Sequence, residues 1–186
     1  MQKLNLTLNI SALAILVLIN TTSFAATKIA SLTDGEIIGI YNQVNSFDVE
    51  MALLATTQSS SDKVIQLAKS VSNDHRSVRI QAAELAETQS IVVSIPEIRQ
   101  AAALQFYKAS VKLSAMKGAE FDRAYLLHEI KFHTNAMKAV KNTLLPASQD
   151  KVLKQHFQTV LPHFQHHLQQ TINVAQELGY YQYQEK

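Results

Sequence analysis

The chain has 186 residues, with 17 lysines and arginines against 15 aspartates and glutamates for a formal charge of +2, and it has no cysteine. Charges of both signs alternate along it without the basic run that a polyanion needs, so no nucleic-acid partner is expected. The lack of cysteine excludes disulfides, thiolate metal sites and thiol catalysis, and leaves packed apolar surface to stabilise the fold, which 47% apolar residues and four glycines can supply.

Residues 1–25 have the zones of a secretory signal: Lys3 in a polar start, an apolar run from Ile10 to Ile19, and Ser23-Phe24-Ala25 before Ala26. The apolar run is about ten residues, too short for a bilayer span of roughly twenty. No later stretch could span a membrane either. Cleavage after Ala25 would release a periplasmic or secreted chain with 16 cations against 15 anions, a net +1. A short linker at 26–32, one helical domain at 33–178 and a flexible tail at 179–186 are expected.

Thr33 and Glu36 form a capping-box pair, and a first helix follows with the stripe Ile37, Ile40, Val44, Phe47, Met51, Leu54. The serines Ser59, Ser60 and Ser61 end it and open a second helix with the stripe Val64, Leu67, Val71, His75, Val78, Ala82, Leu85. Pro96 breaks the pattern. A crossover with a shorter helix from about Glu97 to Ala115 is therefore expected. Gly118 precedes a helix from Ala119 to Leu145, bounded by Pro146, and the last helix runs from Ser148 to Leu178, with Gly179 as its stop. Pro162 should kink or split that helix. The pattern predicts an all-α, antiparallel four-helix bundle with one crossover carrying an extra shorter helix.

Several ionisable residues fall on apolar faces. Asp122, Leu126, Glu129, His133, Met137, Val140 and Leu144 share one stripe. Burying a carboxylate costs several kcal/mol unless it is paired or coordinates a metal. Glu129 and His133 are one turn apart and can reach one point, whereas Asp122 lies about 16 Å along the axis from His133. Counting from a turn at Pro146 puts His133 within about 3 Å of the level of His163, with Glu129 between His163 and His167. His156 shares that flank, and His166 points elsewhere. In the first pair, Asp48 and Glu50 flank the stripe opposite His75, Asp48 being nearer in level. Asp74 could pair with Arg76 or Arg79 at the surface. The metal candidates are thus Glu50, His75, Glu129, His133, His163 and His167, for an ion such as zinc, copper, iron or manganese. A buried histidine is also often a hydrogen-bonded packing residue, and His75 can be read that way.

No glycine-rich phosphate loop or nucleophile elbow is present. The Glu-x-x-His pairs of dinuclear carboxylate oxidases are absent as well.

Phe47-Asp48-Val49-Glu50, Ser72-Asn73-Asp74-His75, the run Gly118 to Tyr125 with His133, and Leu161-Pro162 followed by His167 together resemble a known family. The chain is similar from Thr33 to Leu178 to the bacterial domain of unknown function 4142, a set of exported, ferritin-like four-helix proteins often labelled outer-membrane or periplasmic. The resemblance implies Glu50, His75, Asp122, His133 and His167 as the recurring polar positions. The chain departs from the family at Phe132, where an acid is usual, and adds His128, Glu129, His163 and His166.

Two roles follow. One is an exported bundle that binds a divalent transition metal through histidine and glutamate. The other is a metal-free structural or interaction module of the envelope, as a single chain or a homo-oligomer, whose polar groups pair internally and set helix register. Catalysis is left open, and the envelope partner is not named by the sequence.

Overall fold

The computed structural model describes residues 32–182. The expected signal at 1–25, the linker up to residue 31 and the tail from 183 lie outside them. Five long helices account for most of the rest: α1 (Asp34–Gln58), α2 (Asp62–Thr88), α3 (Gln100–Ser114), α4 (Gly118–Ala139) and α5 (Lys151–Glu177). No strand occurs among the described residues. No helix there is long and apolar enough to cross a membrane.

The capping box forms as the sequence requires: the Glu36 amide donates to Thr33 Oγ1 and the Thr33 amide to Glu36 Oε2 at 2.9 Å. At the other end of the chain Gly179 takes the left-handed conformation, φ 73°, which lets Tyr180 donate back to the Ala175 carbonyl at 2.8 Å and closes α5. Tyr180 and Tyr181 then pack on the core instead of trailing from it.

α1 packs chiefly on α2, and α4 on α5, while α2 meets α5 and α1 meets α4. Two apolar clusters occupy opposite ends of this assembly. One holds Ile37, Tyr41, Val78, Leu144, Leu153 and Phe157, and the other holds Met51, Val64, Val71, Phe121, Leu126 and Ala175. α1 and α5 run from the first cluster to the second, and α2 and α4 run the opposite way. Consecutive long helices joined by tight links are therefore antiparallel, and the parallel pair α2 and α4 needs a crossover. Residues 89–99 and α3 supply it.

That crossover lies unusually close to α1. A methyl group at Gly35 would collide with the Val92 carbonyl, and one at Gly39 with the Ser94 carbonyl. Glycine at both positions lets extended backbone rest directly on the helix, and the Ser94 amide donates to the Gly35 carbonyl at 3.2 Å.

In the second half, the split of the last helix allowed for at Pro162 does not occur, and the end of the preceding helix differs from the one expected. α5 is one unbroken helix through Pro162. The carbonyl of Gln158, deprived of its helical donor by the proline, sits on an exposed turn where water can satisfy it. Conversely, α4 does not run regularly to Leu145. A π-helical turn at Val140–Leu144 intervenes before a last helical turn at Leu145–Ala147, and α5 begins only at Lys151, capped by Asp150.

Candidate metal centre

Between the two apolar clusters, at mid-length of the helices, the core turns polar. Asp48 and Asn45 enter from α1, His75 from α2, Glu129 and His133 from α4, and His167 from α5, and all six are buried. The reason is periodicity: each occupies a place on its helix's inward stripe that an apolar residue would otherwise fill.

The three imidazoles form a near-equilateral set, with ring centroids 5.5 Å apart for His75 and His133, 5.3 Å for His75 and His167, and 5.6 Å for His133 and His167. Each is tethered by one nitrogen. His75 Nδ1–H donates to Asn45 Oδ1 at 2.7 Å, an orientation fixed because Asn45 Nδ2 donates to the Tyr41 carbonyl at 2.7 Å. His133 Nδ1–H donates to the Glu129 carbonyl at 3.1 Å. His167 Nε2–H donates to Asp74 Oδ2 at 2.9 Å. Carbonyl and carboxylate oxygens only accept, so the tethered nitrogen carries the proton in every case. The other nitrogen of each ring, His75 Nε2, His133 Nε2 and His167 Nδ1, is then a lone pair when the ring is neutral.

Those three nitrogens are buried without a hydrogen-bond partner, and one ring nitrogen from each of the three residues lies within 4.8 Å of the others. Asp48 Oδ2 sits 2.8 Å from His75 Nε2 and 3.3 Å from His133 Nε2. Both Asp48 oxygens and both Glu129 oxygens also lack hydrogen-bond partners. Asp48, Glu129 and His133 can likewise bring one donor atom each within 4.8 Å. A carboxylate oxygen facing imidazole lone pairs at such distances is repulsive unless positive charge stands between them.

Protons serve poorly for that purpose. Burial pushes His133 down to about 4, with the neighbouring rings of His75 and His167 adding to the effect against the opposing pull of Asp48. Burial lowers His167 as well, although Asp74 pulls the other way. Burial alone would raise Asp48, but His75 and His133 outweigh it and hold the carboxyl below its usual range. Glu129 goes the opposite way, raised well above the ordinary value by burial and then by the charge of Asp48. Tyr125, one turn before Glu129, is raised for the same two kinds of reason. Two acids in one dry space with divided tendencies, beside His133 and His167, whose rings resist protonation, make a donor set suited to a divalent ion.

Of the residues singled out from the sequence, the structure gathers His75, Glu129, His133 and His167. Glu50 and His163 are exposed and belong to neither buried donor group. Glu50 lies two residues past Asp48, about 200° around α1, so only one of the two can face inward. His163 lies about 40° further from the centre of the α5 stripe than His167 does, enough to leave it outside. The π-helical turn and the link at 148–150 also move the effective turn beyond Pro146, which brings His167 to the partner position assigned to His163 by counting. Asp122 is buried but stands apart, approached by Ser60 Oγ at 3.5 Å. His166 is exposed and His156 half-buried, its ring edge-on to Tyr41.

Two outer partners escaped sequence reasoning. Asn45 is three residues before Asp48 and shares its face, a spacing that flags it in retrospect. Asp74 reaches α5, not the arginines on its own helix, and no local signal distinguishes these choices.

Comparison with curated proteins and with solved structures finds no match. A family profile described as "Domain of unknown function (DUF4142)" matches residues 20–174, most of the chain, and the protein belongs to that family.

Proposed function

We propose that this protein is exported to the cell envelope and holds one divalent transition-metal ion at the centre of a ferritin-like four-helix bundle, with α3 on the crossover. The ligands would be His75 Nε2, His133 Nε2, His167 Nδ1 and the Asp48 carboxylate, with Glu129 as a further oxygen donor beside them. The observation that carries this reading is the common arrangement of the three imidazoles: each is anchored through one nitrogen and leaves the other buried without a hydrogen-bond partner, and the Asp48 carboxylate faces those of His75 and His133. Outer hydrogen bonds of this kind fix the tautomer and raise the basicity of metal-binding histidines. Three nitrogens and carboxylate oxygen, with no sulfur, suit zinc, copper(II), iron(II) or manganese. The burial of every donor favours holding an ion over exchanging substrate on it, because catalytic sites keep a position open to solvent.

Elemental analysis of purified protein and titration calorimetry on metal-stripped protein test the reading. One ion per chain is expected for at least one of zinc, copper, iron and manganese. Absence of binding for all four would overturn it. A metal-free alternative, with Asp48 and His75 as an internal ion pair that sets helix register, draws support from their 2.8 Å separation. It leaves Glu129 and His167 Nδ1 without partners, and it predicts a melting temperature indifferent to chelator. Export is supported by the signal-like zones of residues 1–25. Protein recovered from the periplasm or medium should begin at Ala26.

A further inference from the structure

α3 is apolar on two faces, and packing explains only one of them. Its inward face carries Ala109 and Leu113, both buried, and Phe106, whose ring stacks on Phe47 with centroids 4.1 Å apart. Its outward face carries Leu104, Tyr107 and Val111, spaced three and four residues apart so that they form one stripe, and these are 53%, 65% and 50% exposed. The crossover leading into α3 also exposes large apolar side chains, Val92 at 87% and Ile95 at 58%. Large apolar side chains exposed singly are ordinary, but a stripe of them along a helix marks a contact surface.

Charge identifies the partner. From residue 98 to 119 the sequence has no aspartate or glutamate, yet it has Arg99, Lys108, Lys112 and Lys117, in a chain otherwise close to neutral. Arg99 is buried and donates to Gln43, which leaves the lysines. Lys108 and Lys112 are exposed and lie beside the apolar stripe on the same side of α3. A second copy docking through this face would bring like charges together with no acid on the helix to compensate them. An anionic lipid surface would accept both features, the stripe entering the headgroup boundary and the lysines meeting phosphate. We infer that the outward face of α3 lies on an anionic membrane surface, parallel to its plane, as a peripheral contact.

The test is co-sedimentation of the full chain with vesicles of phosphatidylcholine alone or mixed equally with phosphatidylglycerol. Binding is expected on the mixed vesicles, weaker by about fivefold for each lysine removed in K108Q and K112Q, and reduced further in the double variant Tyr107→Ser/Val111→Ser. All variants carry the same N-terminal segment, so differences among them belong to α3. Unchanged circular dichroism and melting temperature confirm that the exposed substitutions leave the fold intact. Equal binding of wild type and variants overturns the inference, as does equal binding to neutral and anionic vesicles. A dimer in free solution that Tyr107→Ser/Val111→Ser dissociates also overturns it and assigns the face to a second copy.

Discussion

Acidification of the metal-free protein should expose the strain in its centre, with His133 as the principal reporter. His133 is fully buried, and burial moves its titration from the ordinary 6.5 to about 4. The unfolded chain therefore takes up a proton near pH 6.5 that the folded chain refuses until about pH 4. Between those limits the unfolded state binds more protons, so stability falls as pH falls. A shift of 2.5 units at about 1.36 kcal/mol each gives a loss on the order of 3 kcal/mol. For a domain of this size that corresponds to a drop of about 6–12 °C in melting temperature. The assay is thermal unfolding of chelator-treated protein at half-unit steps from pH 7 to 4, for wild type and His133→Gln. Glutamine does not titrate, so the variant should lose less stability over that window by about the calculated amount. Other groups titrate too: Glu129, raised by burial, loses its contribution as pH rises, and Asp48, lowered, loses its own only at the acid extreme. Glu129 draws no shift from His133 whereas Asp48 does, so the difference between the curves reports His133 together with its hold on Asp48. Parallel curves would refute the reasoning, because His133 would then titrate normally in the folded state.

The other predictions concern ligands, outer partners and packing. Replacing His75 or His133 by alanine should abolish measurable metal binding, whereas Glu50→Gln and His163→Ala should leave the calorimetric affinity unchanged, both being exposed. Asp74→Ala removes the oxygen that orients His167 and should weaken metal binding by about 10–100-fold. Because Asp74 is exposed, the metal-free melting temperature should barely move. Saturating zinc should raise the melting temperature by about 2.7 kcal/mol worth of stability at a hundredfold excess over Kd, an increase that chelator reverses. Gly39→Ala forces the crossover off α1 and should cost about 1–3 kcal/mol in urea unfolding, with no change in metal stoichiometry.

Helix identity and approximate length follow from local physics. The stripe of α2, from Val64 through His75 to Leu85, is buried at every member, because a period of 3.6 residues puts those positions on one face whatever they pack against. The same period turns His75, Glu129 and His133 inward, and the caps at Thr33 and Gly179 set their helix ends by hydrogen bonds within a few residues. The chain itself thus determined that charged groups would be buried, and on which helices.

Which of them meet is a different question, since it depends on rotation and axial register between helices. Asp48 and Glu50 both border the same stripe, and only contact with α2 and α4 selects Asp48. His163 and His167 are one turn apart, and a π-helical turn with a three-residue link shifts α5 enough to choose His167. Asn45 and Asp74 become outer partners through contacts across 30 and 93 residues of sequence. Likewise Gly35 and Gly39 look like weak points of α1 until the crossover backbone is seen resting on them. Periodicity resolves a face but not a neighbour, because adjacent stripe positions differ by only tens of degrees and a single residue inserted in a turn moves a facing helix by comparable amounts. Tertiary packing alone decided that three imidazoles and two carboxylates share one space.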